Sequence, residues 1–218
     1  AADTVKPVLL ELGGKNALIA YPDADPNEVA GGVIGGMNFT WCGQSCGSTS
    51  RAFIHENIYD AVLAKVKEKA AYFKPGLPTD PATTMGAIIS KAQYDRVLSY
   101  IESAKGDGAR LIHGGNRPAD PKLAKGFYVE PSIYADVTPD MRIAREEIFG
   151  PVLSIFKWSD EKTMLAQVNA GSVYWNCCDR VSPRLPWSGH GDSGVGLTLS
   201  RYGIQAFTRP KAWHLRQP

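Results

Sequence analysis

Val8-Leu9-Leu10-Glu11-Leu12-Gly13-Gly14-Lys15-Asn16-Ala17-Leu18-Ile19-Ala20-Tyr21 runs into Asp25-Pro26-Asn27-Glu28. Two short apolar runs, Val8–Leu10 and 17–21, flank a Gly-Gly pair and read as buried strands. The next four residues open a helix, with Asp at the N-cap, Pro at the first helical position and Glu at the third. A strand feeding a helix is the unit of α/β architecture, and the alternation continues along the chain. Apolar spacing at Ile58, Val62, Val66, Ala70 and Phe73, with lysines on the other side, predicts a helix over 57–73. A second helix is expected over 90–104, and shorter ones over 160–168 and 199–206. Strands are expected at 52–54, 110–113, 127–129, 152–156, 173–175 and 212–215. The glycines of the first helix, Gly31, Gly32, Gly35 and Gly36, cost helix stability and suggest close packing.

Composition narrows the function classes. The 218 residues carry 24 Lys plus Arg against 22 Asp plus Glu, a net charge of +2 that offers no nucleic-acid footprint. With 44% hydrophobic and 21% charged residues the chain is globular rather than disordered or coiled. No apolar run reaches the ~18–20 residues that cross a bilayer, and the start shows no basic-then-apolar leader, so neither a membrane anchor nor a secretory signal is expected. The cysteines fall in two tight pairs, Cys42/Cys46 and Cys177/Cys178, unlike a spread disulfide framework, which points to a reducing, cytoplasmic setting. The four histidines lie far apart without an H-x-x-x-H, so no metal site is expected.

Three segments can carry chemistry. Gly43-Gln44-Ser45-Cys46-Gly47-Ser48 presents a cysteine on a tight, small-residue turn, as either an activated nucleophile or a structural thiol. Cys42, one turn earlier beside Phe39 and Trp41, fits the structural role. Glu11 ends an apolar strand; it reads either as a general base raised by burial or as the salt-bridge partner of a residue such as Lys15. Glu146-Glu147-Ile148-Phe149-Gly150-Pro151 places two carboxylates before a strand, as ribose ligands or as a solvated pair. Neither Gly13-Gly14 nor Gly189-His190-Gly191 has the spacing of a phosphate loop.

Together these segments resemble the aldehyde dehydrogenase superfamily. Glu11-Leu12-Gly13-Gly14-Lys15 matches its E-L-G-G-K motif, Gly43-Gln44-Ser45-Cys46 its G-Q-x-C motif and Glu147-Ile148-Phe149-Gly150-Pro151 its E-I-F-G-P motif. Pro186-Trp187-Ser188-Gly189 followed by Ser193-Gly194-Val195-Gly196 is a looser match to P-F-G-G…S-G-x-G. The resemblance implies a catalytic domain over 1–210, a mostly parallel sheet flanked by helices, with a C-terminal oligomerisation strand over 211–218. It implies oxidation of a small-molecule aldehyde with NAD or NADP in a homo-dimer or tetramer. Cys46 would be the nucleophile, Glu11 the base that hydrolyses a thioester, and Glu147, Phe149 and Gly13 the cofactor contacts. Trp41, Val181 and Trp187 fall where the family lines its aldehyde tunnel; the indoles of Trp41 and Trp187 suit an aromatic, bulky or quaternary ammonium aldehyde, or equally plain core packing.

Two departures stand against that pattern. A family subunit is roughly twice as long, and the half that would precede Ala1 should hold the dinucleotide-binding sheet and an oxyanion-hole asparagine. By the same resemblance, some thirty residues are absent where Asn169-Ala170 runs directly into Gly171. A truncated chain acting as an assembly or binding module, or as a cofactor-independent thiol esterase, is the alternative.

Overall fold

The computed structural model describes residues 2–170 and 182–216, which fall into two compact units. The larger comprises residues 14–169; the smaller comprises 2–13, 170 and 182–216.

In chain order the elements are β1 (Leu10–Glu11), β2 (Ala17–Ala20), α1 (Pro26–Gly36), β3 (Arg51–His55), α2 (Glu56–Ala70), α3 (Lys91–Gly106), β4 (Arg110–His113), β5 (Ser132–Ala135), α4 (Arg142–Arg145), β6 (Val152–Trp158), α5 (Glu161–Leu165), β7 (Gly194–Val195) and α6 (Ser200–Gln205). The larger unit is built on a five-stranded sheet ordered β2-β3-β6-β5-β4. Its pairs are parallel except β4 against β5. β6 is buried at every position but Lys157, as a parallel strand covered on both faces should be. α1 and α2 pack together beside β3. Local sequence sets the helix starts: Asp25 accepts from the N–H groups of Asn27 and Glu28, both at 2.9 Å, and Ser90 from that of Gln93 at 3.2 Å.

Several expectations change here. The strand expected at 127–129 is not one; pairing begins one residue after Pro131, which has no N–H to give, and β5 is buried throughout. Gly31 and Gly35 face open space, and Gly32 makes only ordinary contact with Leu18, so these three glycines do not serve close packing.

The smaller unit has little of its own to bury. β1 pairs antiparallel with β7, Leu10 opposite Val195 and Glu11 opposite Gly194. The first apolar run pairs only at Leu10, and Val8 and Leu10 are exposed rather than buried, because no apolar layer of this unit covers them. A bridge joins Trp187 to Thr198. The expected strand over 212–215 has no partner strand among the described residues, and 209–216 carry no regular structure. The strand expected at 173–175, Cys177, Cys178 and Val181 lie outside the described residues. No helix among the described residues is long and apolar enough to cross a membrane.

Candidate active site

α1 ends in a double reversal. Asn38 and Cys42 are both left-handed (φ 54° and 57°) on either side of a 3-10 turn over Phe39–Trp41. Asparagine tolerates that region; cysteine is held there by its surroundings. Cys42 is buried, its thiol donating to the Gly86 carbonyl at 3.1 Å, and burial pushes its pKa up to about 11. It stays protonated and inert, the structural role expected for it. Gly43 follows at φ 63°, and a Cβ there would strike the Gly150 carbonyl, so glycine lets the two segments meet.

Cys46 is half-buried on the next turn. The peptide that follows it is held at both ends. Asn16 Nδ2 donates to the Cys46 carbonyl at 2.6 Å, and the Gly47 N–H donates to Ser45 Oγ at 3.1 Å. Gly14 lies against the same carbonyl: a Cβ there would stand 3.1 Å from it.

The Glu146–Phe149 loop closes the other wall. Its two acids part company. Glu146 accepts from Tyr100 Oη at 2.7 Å and Arg142 Nε at 3.2 Å, and these hydrogen bonds hold its pKa below the ordinary value. Glu147 turns into a cleft, where its Oε1 accepts from the Gly14 N–H at 2.9 Å. Phe149 is left-handed (φ 55°) and 38% exposed. Gly14, Gly43, Ser45, Glu147, Phe149 and Gly150 line this cleft together.

Two residues that the sequence did not single out fix the loop. Gln93 Nε2 donates to the carbonyls of Ile148 (2.8 Å) and Phe149 (2.9 Å), and Arg96 donates to that of Glu147 (2.8 Å). Three successive carbonyls are held by side chains one helical turn apart on α3. The only sequence signal was a polar i, i+3 pair beside the apolar stripe.

Lys15 supplies an unexpected charge. Its Nζ is buried without a hydrogen-bond partner among the described residues. Burial, then the nearby Arg51 guanidinium, lower its pKa to about 7 against the opposing pull of Glu147 and Glu146. Arg51 also donates to the Lys15 carbonyl and, at 3.2 Å, to that of Gln167.

Cys46, Glu147 and Phe149 all belong to the larger unit, Glu147 and Phe149 lining the cleft and Cys46 on the turn whose neighbour Ser45 lines it. Glu11 and Gly13 belong to the smaller unit, Glu11 exposed on β1 and Gly13 at φ 118°. Trp41 is 61% exposed in the larger unit rather than packed in a core, and Trp187 is half-buried in the smaller one.

Comparison with known proteins gives this geometry its context. The model of the aldehyde dehydrogenase family matches residues 1–170, stopping at the Asn169-Ala170 junction. The chain is 49% identical to aldehyde dehydrogenase tropH of Talaromyces stipitatus, over 97% of the chain and 47% of that protein. The aligned span of 242 residues exceeds the 218 of the chain, so that relative carries residues inside the match that are missing here. The chain is 39% identical to a betaine aldehyde dehydrogenase of Brucella melitensis, over 90% of the chain and 45% of the relative. An NAD+ complex of an aldehyde dehydrogenase from Bacillus cereus superposes with a TM-score of 0.85 at 31% identity, over 95% of the chain and 47% of that structure. The chain spans about half the length of the curated relatives it matches. With the three motifs in order, the family model over most of the chain and a common fold, the chain belongs to the aldehyde dehydrogenase family.

Proposed function

We propose that the chain is the catalytic portion of an NAD(P)+-dependent, hydrolytic aldehyde dehydrogenase. The observation that carries this is the cleft in which the Cys46 turn, Gly14 and Glu147 meet. The residues present fit the ribose end of a nicotinamide cofactor. Glu147 is a half-buried carboxylate in the cleft, able to accept from ribose hydroxyls, and Phe149 offers a partly open ring beside it. When bound, that cofactor supplies the hydride acceptor. Cys46 attacks the aldehyde carbon as a thiolate, and its own N–H helps hold the oxyanion of the thiohemiacetal. Oxidation leaves a thioester on Cys46. Glu11, which water reaches on exposed β1, takes a proton from the water that hydrolyses it.

The open indole of Trp41 supports a substrate with an aromatic or quaternary ammonium group, with Trp187 and Val181 as further lining residues. The reading includes a catalytic body over 1–210 with an arm over 211–218, self-association as a dimer or tetramer, and a cytoplasmic setting.

The test is aldehyde-dependent reduction of NAD+ or NADP+ followed by absorbance. The rate should vanish in Cys46→Ala, and Glu11→Gln should keep the first turnover while losing the steady state. A rate that survives Cys46→Ala, or no rate in the unaltered protein, overturns the proposal. A Cys46-dependent burst with 4-nitrophenyl acetate, without aldehyde oxidation, would instead establish the cofactor-independent thiol esterase.

A further inference from the structure

Asn16 lies outside the motif residues that the chemistry uses, yet its side chain makes the shortest polar contact to the nucleophile's backbone among those described. Its carboxamide nitrogen donates to the Cys46 carbonyl at 2.6 Å, and the Ser48 carbonyl lies at 3.4 Å on the same nitrogen. Both neighbours are carbonyl oxygens, which can only accept, so the nitrogen rather than the oxygen must face them. The other end of the Cys46–Gly47 peptide is held by Ser45 Oγ at 3.1 Å. A peptide plane anchored at its oxygen and its N–H cannot rotate, and its orientation fixes ψ of Cys46. The approach is close: a Cβ on Gly14 would sit 3.1 Å from the Cys46 carbonyl and 3.3 Å from Asn16 Oδ1. The Gly14 N–H meanwhile serves Glu147 at 2.9 Å. The Gly14–Asn16 stretch thus ties the cysteine turn to the carboxylate loop.

We propose that Asn16 is a positioning residue for the Cys46 nucleophile, fixing through one hydrogen bond the Cys46–Gly47 peptide plane and with it ψ of the residue that carries the thiol and the oxyanion-binding N–H. This rests on the reading of Cys46 as the nucleophile. Acylation demands both attack by sulfur and a correctly aimed N–H at the oxyanion, whereas alkylation by iodoacetamide displaces iodide and forms no oxyanion. Loss of alignment therefore lowers acylation more than alkylation. A general loosening of the fold moves both reactions together.

The experiment measures, on the 218-residue chain, the burst rate with 4-nitrophenyl acetate and the iodoacetamide rate at Cys46, located by peptide mass spectrometry, across pH 5.5 to 8.5. Asn16→Asp keeps the shape but, when ionised, can only accept. Its acylation-to-alkylation ratio should fall at least tenfold near pH 8 and recover as the carboxyl is protonated at lower pH. Both rates depend on the thiolate, so the ratio cancels its titration. Asn16→Ala should show the loss without the recovery. An unchanged ratio in Asn16→Asp near pH 8, or in Asn16→Ala, overturns the proposal. If the unaltered chain shows no burst that Cys46→Ala removes, the nucleophile reading itself falls and takes the proposal with it. A burst that depends on Cys46 but ignores Asn16 refutes the positioning role alone.

Discussion

The two units of this chain are stabilised by different means. Every buried apolar side chain among the described residues belongs to the larger unit, from Ala20 on β2 to Met164 on α5. The smaller unit buries only Ser200 and Gly203, while Leu10, Val195, Tyr202, Ile204, Phe207 and Trp213 are all exposed. A two-stranded ribbon without an apolar layer is marginal in water. The larger unit can hold itself together; the smaller one is held by backbone pairing and needs surfaces that it does not itself supply.

Substitutions should separate them. Phe53 on β3 stacks on Phe156 of β6 at 4.5 Å, in the middle of the sheet. Phe53→Ala should cost about 3–5 kcal/mol in urea denaturation; a loss below about 1 kcal/mol would mean that the sheet is less tightly packed than its burial implies.

Lys15 gives the next effect, with a definite sign. Its folded-state pKa of about 7 lies below its ordinary 10.5, so the folded state resists protonation of this amine. The cost is fully present below pH 7, shrinks as pH rises and is gone above about 10.5. Lys15→Met should therefore be the more stable protein at pH 6, by on the order of 2 kcal/mol, with the difference shrinking as pH rises toward 10.5. A stability difference that does not change with pH would show that Lys15 is solvated.

Arg96→Ala removes a charged donor from the Glu147 carbonyl and should weaken cofactor binding by up to about tenfold, on the scale of one charge-assisted hydrogen bond. Isothermal titration of NAD+ into the protein reads it, and an unchanged affinity would show that Gln93 suffices. At the bottom of the scale, Leu10→Ala and Val195→Ala should each change stability by less than about 0.5 kcal/mol. A large loss at either would show that β1 and β7 are better covered than their exposure suggests.

The contrast also explains what could be read in advance. α2 and α3 were legible because a 3.6-residue apolar stripe states both the helix and its buried face. The cysteine turn and the Glu147 loop were legible only in combination: alone each read equally as a structural thiol or a solvated acid pair, and it was their order and spacing with Glu11-Leu12-Gly13-Gly14-Lys15 that resembled a known family. β5 was not: Phe127-Tyr128-Val129 is the more strand-like run, but the Phe127 carbonyl accepts from the Ile88 N–H and the ladder with β6 begins at Ser132, after Pro131, which has no N–H to give. The roles of Gln93, Arg96 and Asn16 depend on partners 30 to 56 positions away and leave no local pattern. The burial of Lys15, a residue type that usually finds solvent, is set by its neighbours in space and has no signature in sequence.

The strand order has a consequence in time. β3 and β6 form the middle of the sheet, with Arg51 opposite Ser154, so about a hundred residues must be looped before the central ladder can close. During synthesis β2, α1, β3 and α2 are all made before that ladder has its second half, and β3 waits with one edge bare. Refolding should accordingly be slow, and the partly made chain is the form most in need of a chaperone.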